Sequence, residues 1–251
     1  MKQRYLNYLV NAGPMLVQIK KRLTRNQLLI SVERKIRKYR RRIFYYAALN
    51  GLDKKIENYL PSKGFFVEAG ANDGLNQSNT LFLERKYHWN GLLIEPIPRL
   101  AHECAKNRKK SLTMNVALVS PANSGKLVEL VDVDLMSVVA DSKNANESIL
   151  RTAEEIQGIS RERCSITGLT LTSVLDSANA PTNFELLSLD VEGFELEVLQ
   201  GLDLSKFAPQ FILIETNQIS DVLNVLNGKY ILAEKLSQHD YFLRLIPEAQ
   251  E

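Results

Sequence analysis

From residue 61 onward the chain switches repeatedly between two hydrophobic patterns. Short runs dense in β-branched and aromatic residues are separated by stretches in which apolar positions recur at helical spacing. This alternation predicts an α/β fold with a mostly parallel sheet covered on both faces, since a strand buried on both sides reads as a nearly continuous apolar run. The predicted strands cover residues 65–69, 91–95, 113–119, 184–190 and 211–215, with an amphipathic helix over 78–86. Residues 127–133 read as an added hairpin strand. Residues 141–168, polar with scattered apolar positions, read as an insertion or lid over the sheet edge. The last two runs, 230–236 and 241–246, are close enough to pair as an antiparallel edge hairpin. In an open sheet of this kind ligands bind beyond the carboxyl ends of the strands, where the winding reverses.

Charge adds a second feature that the pattern does not show. Residues 1–42 hold 13 Lys and Arg against one acid, Glu33, a net of +12, while the rest of the chain carries −9. The division predicts a basic helical arm, residues 1–50, ahead of a domain at 51–251. The basic run Arg34 to Arg42 leads into Ile43, Phe44, Tyr45 and Tyr46, a mixture suited to an anionic membrane surface touched by residues 1–46. Nucleic acid satisfies the same charge and is the less favoured partner. A helix that lays its Leu, Ile and Tyr side chains on the globule is the purely structural alternative.

Composition narrows the class further. With 251 residues, 45% of them hydrophobic, the chain is not disordered in the main. No apolar run approaches the roughly 20 residues a membrane-spanning helix needs. Only two cysteines, Cys104 and Cys164, are present, and no small-residue cleavage site follows an apolar stretch. A reducing cytoplasm is the expected compartment, with the arm placing the protein at the inner face of the membrane. No oligomeric state follows from the sequence.

The candidate chemistry begins where the first strand ends, at Glu68-Ala69-Gly70-Ala71-Asn72-Asp73-Gly74. Gly70 and Gly74 permit a tight turn and close approach of backbone to a ligand, and Asn72 and Asp73 tolerate left-handed geometry. The spacing is not that of the dinucleotide fingerprint, which cradles a pyrophosphate on amides. A loop carrying Glu68 and Asp73 repels phosphate and attracts an ammonium or a hydroxyl. Glu95, followed by Pro96, ends the next strand, from which a carboxylate accepts hydrogen bonds from both ribose hydroxyls. A nucleoside that lacks phosphate and carries a cation is S-adenosylmethionine.

Four ordered segments carry a family resemblance: Phe66-Val67-Glu68-Ala69-Gly70-Ala71-Asn72-Asp73-Gly74, Leu93-Ile94-Glu95-Pro96-Ile97-Pro98, Asn115-Val116-Ala117-Leu118, and Leu189-Asp190-Val191-Glu192-Gly193-Phe194-Glu195 with Val198-Leu199-Gln200-Gly201. Together they resemble the signatures of the FkbM family of S-adenosylmethionine-dependent methyltransferases. The resemblance spans residues 65–217 and implies a class I methyltransferase (Rossmann-like) fold, with methyl transfer to a hydroxyl, commonly of a sugar or a polyketide. Carried onto this chain, it places Glu68, Gly70 and Asp73, in the loop with Asn72 and Gly74, at the methionine end. Glu95 and Pro96 fall at the ribose, Asn115 and Ala117 at the adenine.

Asp190 and Glu192 stand where the reactive methyl is expected. Such a pair suits general-base work, since a hydroxyl must lose its proton as it attacks, and burial raises a carboxyl pKa toward neutrality. No Asn/Asp-Pro-Pro-aromatic element of the kind used on exocyclic base nitrogens occurs there, which favours oxygen methylation of a saccharide or a similar hydroxyl-bearing small molecule. His239 is a further candidate base. Asp190, Glu215 and Asn217 form an oxygen-rich set that would suit Mg²⁺, a less favoured alternative because the bases already suffice. An RNA methyltransferase anchored by its arm, and a non-catalytic binding module of the same fold, are the rival readings.

Overall fold

The computed structural model describes residues 45–132, 138–139 and 162–247; the basic arm through residue 44 and the bulk of the insertion lie outside the described residues. The strands are β1 (Phe65–Ala69), β2 (Asn90–Ile94), β3 (Leu112–Met114), β4 (Ala117–Leu118), β5 (Leu127–Asp132), β6 (Val138–Val139), β7 (Glu162–Leu169), β8 (Leu186–Leu189), β9 (Phe211–Glu215), β10 (Tyr230–Lys235) and β11 (Asp240–Leu245). The helices are α1 (Leu52–Ile56), α2 (Leu81–Lys86), α3 (Pro98–Asn107), α4 (Leu171–Ser177), α5 (Glu195–Gln200) and α6 (Ile219–Val225).

Seven strands form the main sheet, in the order β10-β11-β9-β8-β1-β2-β3. The pairs from β3 through β9 are parallel, and β11 runs antiparallel to both β9 and β10. This is the open, mostly parallel class I methyltransferase sheet with an antiparallel edge hairpin. The chain winds outward from β1 to β3 and then restarts at β8, so the winding reverses between β1 and β8.

Strand alternation divides the core into two layers. Val67, Ala69, Leu92, Ile94, Leu187, Leu189, Ile212 and Ile214 pack on one face with α4 and α5, while Phe66, Leu93, Leu186, Phe211 and Leu213 pack on the other with α1 and α2. Both faces being apolar explains the unbroken hydrophobic runs. Pro98 at the first position of α3 supplies a pre-set φ and lacks an N–H that would otherwise go unpaired.

The structure departs from the sequence reading in four places. The strand expected over 113–119 divides, because the Asn115 side chain donates to the backbone oxygens of Glu95 and Pro96 (2.9 Å each) and the chain leaves the main sheet there. Its second half, β4, joins a separate four-stranded sheet of order β4-β7-β5-β6. Residues 162–168, the end of the stretch assigned to an insertion or lid, belong to β7, which pairs antiparallel with β5 from Leu127↔Thr167 to Asp132↔Glu162. The helix expected from residue 78 starts at Leu81, since Ser78, Asn79 and Thr80 bond to Glu68 instead. Residues 45–50, placed in the arm, pack on the domain: Ala47 is buried against Leu75 and Leu81, and Tyr46 stacks on Phe82 at 5.9 Å. Among the described residues no helix is long and apolar enough to cross a membrane.

Candidate active site

Beyond the carboxyl ends of β1, β2 and β8 lies a cavity open to solvent. Its location follows from the winding reversal, and its shape from how three strand ends are joined. The N–H groups of Gly70 and Ala71 donate to Ile94 O (3.0 and 3.1 Å), and Asp190 N donates to Ala69 O (3.2 Å). Gly70 has φ +83°, and a Cβ on it would stand 1.9 Å from the backbone oxygen of Asp190. No side chain fits there, so β8 closes directly over the turn.

Glu95 is buried, lines the cavity and has its carboxylate plane set by two amides. Asn72 N donates to Oε2 (2.7 Å) and Ile97 N to Oε1 (2.9 Å). Asn72 adopts φ +51°, the left-handed geometry that brings its N–H to the carboxylate. Pro96 and Ala117 line the same wall, joined by Leu130 from the second sheet.

Glu68 also lines the cavity, but its carboxylate is engaged in supporting the loop. It accepts from Ser78 Oγ (2.9 Å), Asn79 N (2.8 Å) and Thr80 Oγ1 (2.7 Å). Behind it lies Arg108, fully buried, 3.6 Å from Glu68 and bonded to Glu84 (3.0 Å), Gly74 O (3.1 Å), Ser78 (3.0 Å) and Thr80 (3.0 Å). A buried guanidinium is tolerated only when its donors are satisfied in this way. Asp73, Gly74 and Asn115 do not line the cavity. Asp73 accepts from Leu75 N, Asn76 N and Asn76 Nδ2 (2.9, 2.7 and 2.6 Å) and so shapes the loop. Gly74 leaves room for Arg108 and Cys104, which a Cβ would approach to 2.7 and 2.9 Å.

Asp190 and Glu192 line the cavity together, Glu192 at φ +54°. The turn that presents them is held by Glu195, whose Oε1 accepts from Gly193 N at 2.8 Å. Burial pushes the Glu195 carboxyl up to about 7, against the bonds from Gly193 and its own amide, and the charge of Asp190 adds to the rise. The Leu189↔Ile214 register brings Glu215 beside Asp190, with Asp240 paired to Glu215 on β11. His239 precedes β11, half-buried, its backbone oxygen accepting from Thr216 N (2.8 Å). Glu215, Asn217 and His239 do not line the cavity. Among the described residues no three His, Cys, Asp or Glu side chains gather as metal ligands. Of the oxygen-rich set Asp190, Glu215 and Asn217, Asp190 lines the cavity.

Sequence reasoning missed Gln77, Ser78, Asn79, Ser188, Leu130 and Phe194, all of which line the cavity. The available signal was the unbroken polar run Asn76-Gln77-Ser78-Asn79-Thr80 ahead of Leu81.

A protein described as Methyltransferase 1, from Beauveria bassiana (strain ARSEF 2860), is 28% identical over 162 residues, 57% of this chain; the match spans 60% of that relative's length. Among solved structures, a methyltransferase FkbM from Methylobacillus flagellatus KT is 15% identical, with a TM-score of 0.45 over 74% of this chain and 44% of its own. TrmK of M. capricolum, in complex with the cofactor product S-adenosyl-homocysteine, is 10% identical, with a TM-score of 0.41 over 76% of this chain and 65% of its own. Residues 68–245, which run from the Glu68 loop to the end of β11, match the family described as Methyltransferase FkbM domain. On that match, over most of its length, the chain belongs to the FkbM methyltransferase family.

Proposed function

We propose that this protein transfers the methyl group of S-adenosylmethionine to a hydroxyl, of a saccharide or a related natural product. The observation that carries the reading is the cavity itself: a buried strand-end carboxylate held in plane by two amides, a side-chain-free turn beside it, and two further carboxylates on its far side. A carboxylate offers about four acceptor positions, and Glu95, oriented by Asn72 and Ile97, suits a vicinal diol such as the ribose. Gly70 lets the backbone of Asp190 close on the turn, which supports Asp190 at the cavity wall. The cofactor, when bound, supplies an electrophilic methyl on a sulfonium. Asp190 and Glu192 orient the acceptor hydroxyl and take its proton as its oxygen bonds to the methyl carbon and the carbon–sulfur bond breaks. Two carboxylates at this place support an oxygen acceptor.

Glu95→Ala tests the cofactor assignment. Loss of the diol acceptor is expected to weaken S-adenosylmethionine binding at least about tenfold, or about 1.4 kcal/mol. Calorimetry on a variant that unfolds at the wild-type temperature is the measurement, and unchanged affinity would remove Glu95 from the site. Glu95→Gln, which keeps one acceptor oxygen, is expected to fall between the two.

A further inference from the structure

Asn79 lines the cavity while being only 8% exposed. Its backbone N–H donates to Glu68 Oε1 (2.8 Å) and its side-chain Nδ2 to Ser188 Oγ (3.1 Å), but its Oδ1 is buried without any hydrogen-bond partner. An acceptor left in this state costs about 1–3 kcal/mol. The loop cannot shed that cost by moving, because Glu68 holds Ser78, Asn79 and Thr80 together and Arg108 braces Ser78 and Thr80 from behind. A buried polar atom held this firmly without a partner marks a place that a ligand donor completes.

We propose that Asn79 contacts the cofactor, its Oδ1 accepting a hydrogen bond from the ammonium at the amino-acid end of S-adenosylmethionine. This inference rests on the cofactor reading given above. Position selects the amino-acid end. Glu95 fixes the ribose at the end of β2, Gly70 lies at the end of β1, and Asn79 with Ser188 stands on the β8 side of that turn, two residues before Asp190. The sign of the charge selects the ammonium. An acceptor needs a donor, which a carboxylate at neutral pH is not, and Asp190 and Glu192 in the same lining favour a cation. Ser188 is then a positioning residue: it anchors the amide nitrogen and leaves the oxygen as the end of the amide that a ligand can engage.

The test is calorimetry on the full chain with two probes, S-adenosylhomocysteine and 5′-methylthioadenosine, which shares the adenosine but lacks the amino-acid end. Asn79→Ala is expected to weaken S-adenosylhomocysteine about tenfold or more while leaving 5′-methylthioadenosine within about twofold. Asn79→Asp, which retains an oxygen at the same place, is expected to stay within about threefold of wild type for the first probe. If the alanine variant does not fold, Asn79→Leu, close to Asn in size, takes its place in the same comparison. Unchanged S-adenosylhomocysteine affinity without the oxygen, equal weakening of both probes, or an aspartate variant as weak as the alanine one would each overturn the proposal. A wild-type protein that binds neither probe would instead overturn the cofactor reading beneath it.

Discussion

Individual carboxylates in this molecule differ in function according to what surrounds them. Glu195 is buried at the start of α5, and its carboxyl is pushed up to about 7, first by burial. An acid whose pKa rises on folding contributes stability that is complete below its unfolded value, near 4.5, and is lost as pH rises to about 7. For a shift of this size the change is up to about 3 kcal/mol. Glu195→Gln keeps an oxygen for Gly193 N and has no charge to bury, so it is expected to gain on wild type from about pH 5 to pH 7 and to level off above that. Urea midpoints at four pH values measure this, and parallel curves for the two proteins would refute it. The place of Glu95, buried at a strand end and lining the cavity, was legible from sequence because any strand of this class supplies such a position. Asn79 was not, since its significance comes from Ser188, 109 residues away in sequence, and from an oxygen that only a folded cavity leaves unpaired.

At the scale of elements, the segment before α1 is tied to the cavity loop. Asp53, almost fully buried, accepts from Ala47 N (2.7 Å) and Ala48 N (2.9 Å) through one oxygen. These bonds hold Ala48 in a parallel bridge to Gln77, a cavity-lining residue at φ +58°. Non-glycine residues in that region cost about 1–3 kcal/mol and persist only where neighbours fix them. Asp53→Ala leaves two amides, that of Ala47 buried and that of Ala48 partly so, without this acceptor, and a loss of about 2 kcal/mol in urea unfolding is expected. Deleting residues 1–48 should also weaken S-adenosylmethionine binding severalfold, whereas deleting 1–44 should leave it unchanged; identical affinities for the two truncations would disconnect this segment from the site. The central strands β1, β2, β8 and β9 were readable because burial on both faces writes itself as a continuous apolar run. The second sheet was not, because β5 pairs with β7 some 35 residues later, across the insertion, and local pattern carries no record of that partner.

For the whole molecule, the charge division is the feature of the sequence that the cavity chemistry does not use. The +12 of residues 1–42 faces a remainder of −9, so the arm gains little from being near neutral surface and much from a dense anionic one. The described residues that follow it are anchored on the domain. Tyr46 OH donates to Glu57 (2.9 Å), Lys86 Nζ donates to both Tyr46 and Glu57 (2.9 and 2.7 Å), and Tyr87 OH donates to Glu57 (2.8 Å). A charge run that ends at Arg42, shortly before such an anchor, is expected to hold the domain at a surface. Each basic residue near an anionic membrane contributes about 1 kcal/mol, and salt with a screening length of about 10 Å at 0.1 M weakens the attraction. The full chain is therefore expected to co-sediment with phosphatidylserine-containing vesicles at low salt, to release as salt is raised, and to ignore purely zwitterionic vesicles. Removal of residues 1–44 should abolish sedimentation while leaving S-adenosylmethionine affinity intact. Equal sedimentation with and without the arm would sink the tether, and salt-sensitive retention of RNA by the arm with no vesicle binding would reassign it to nucleic acid.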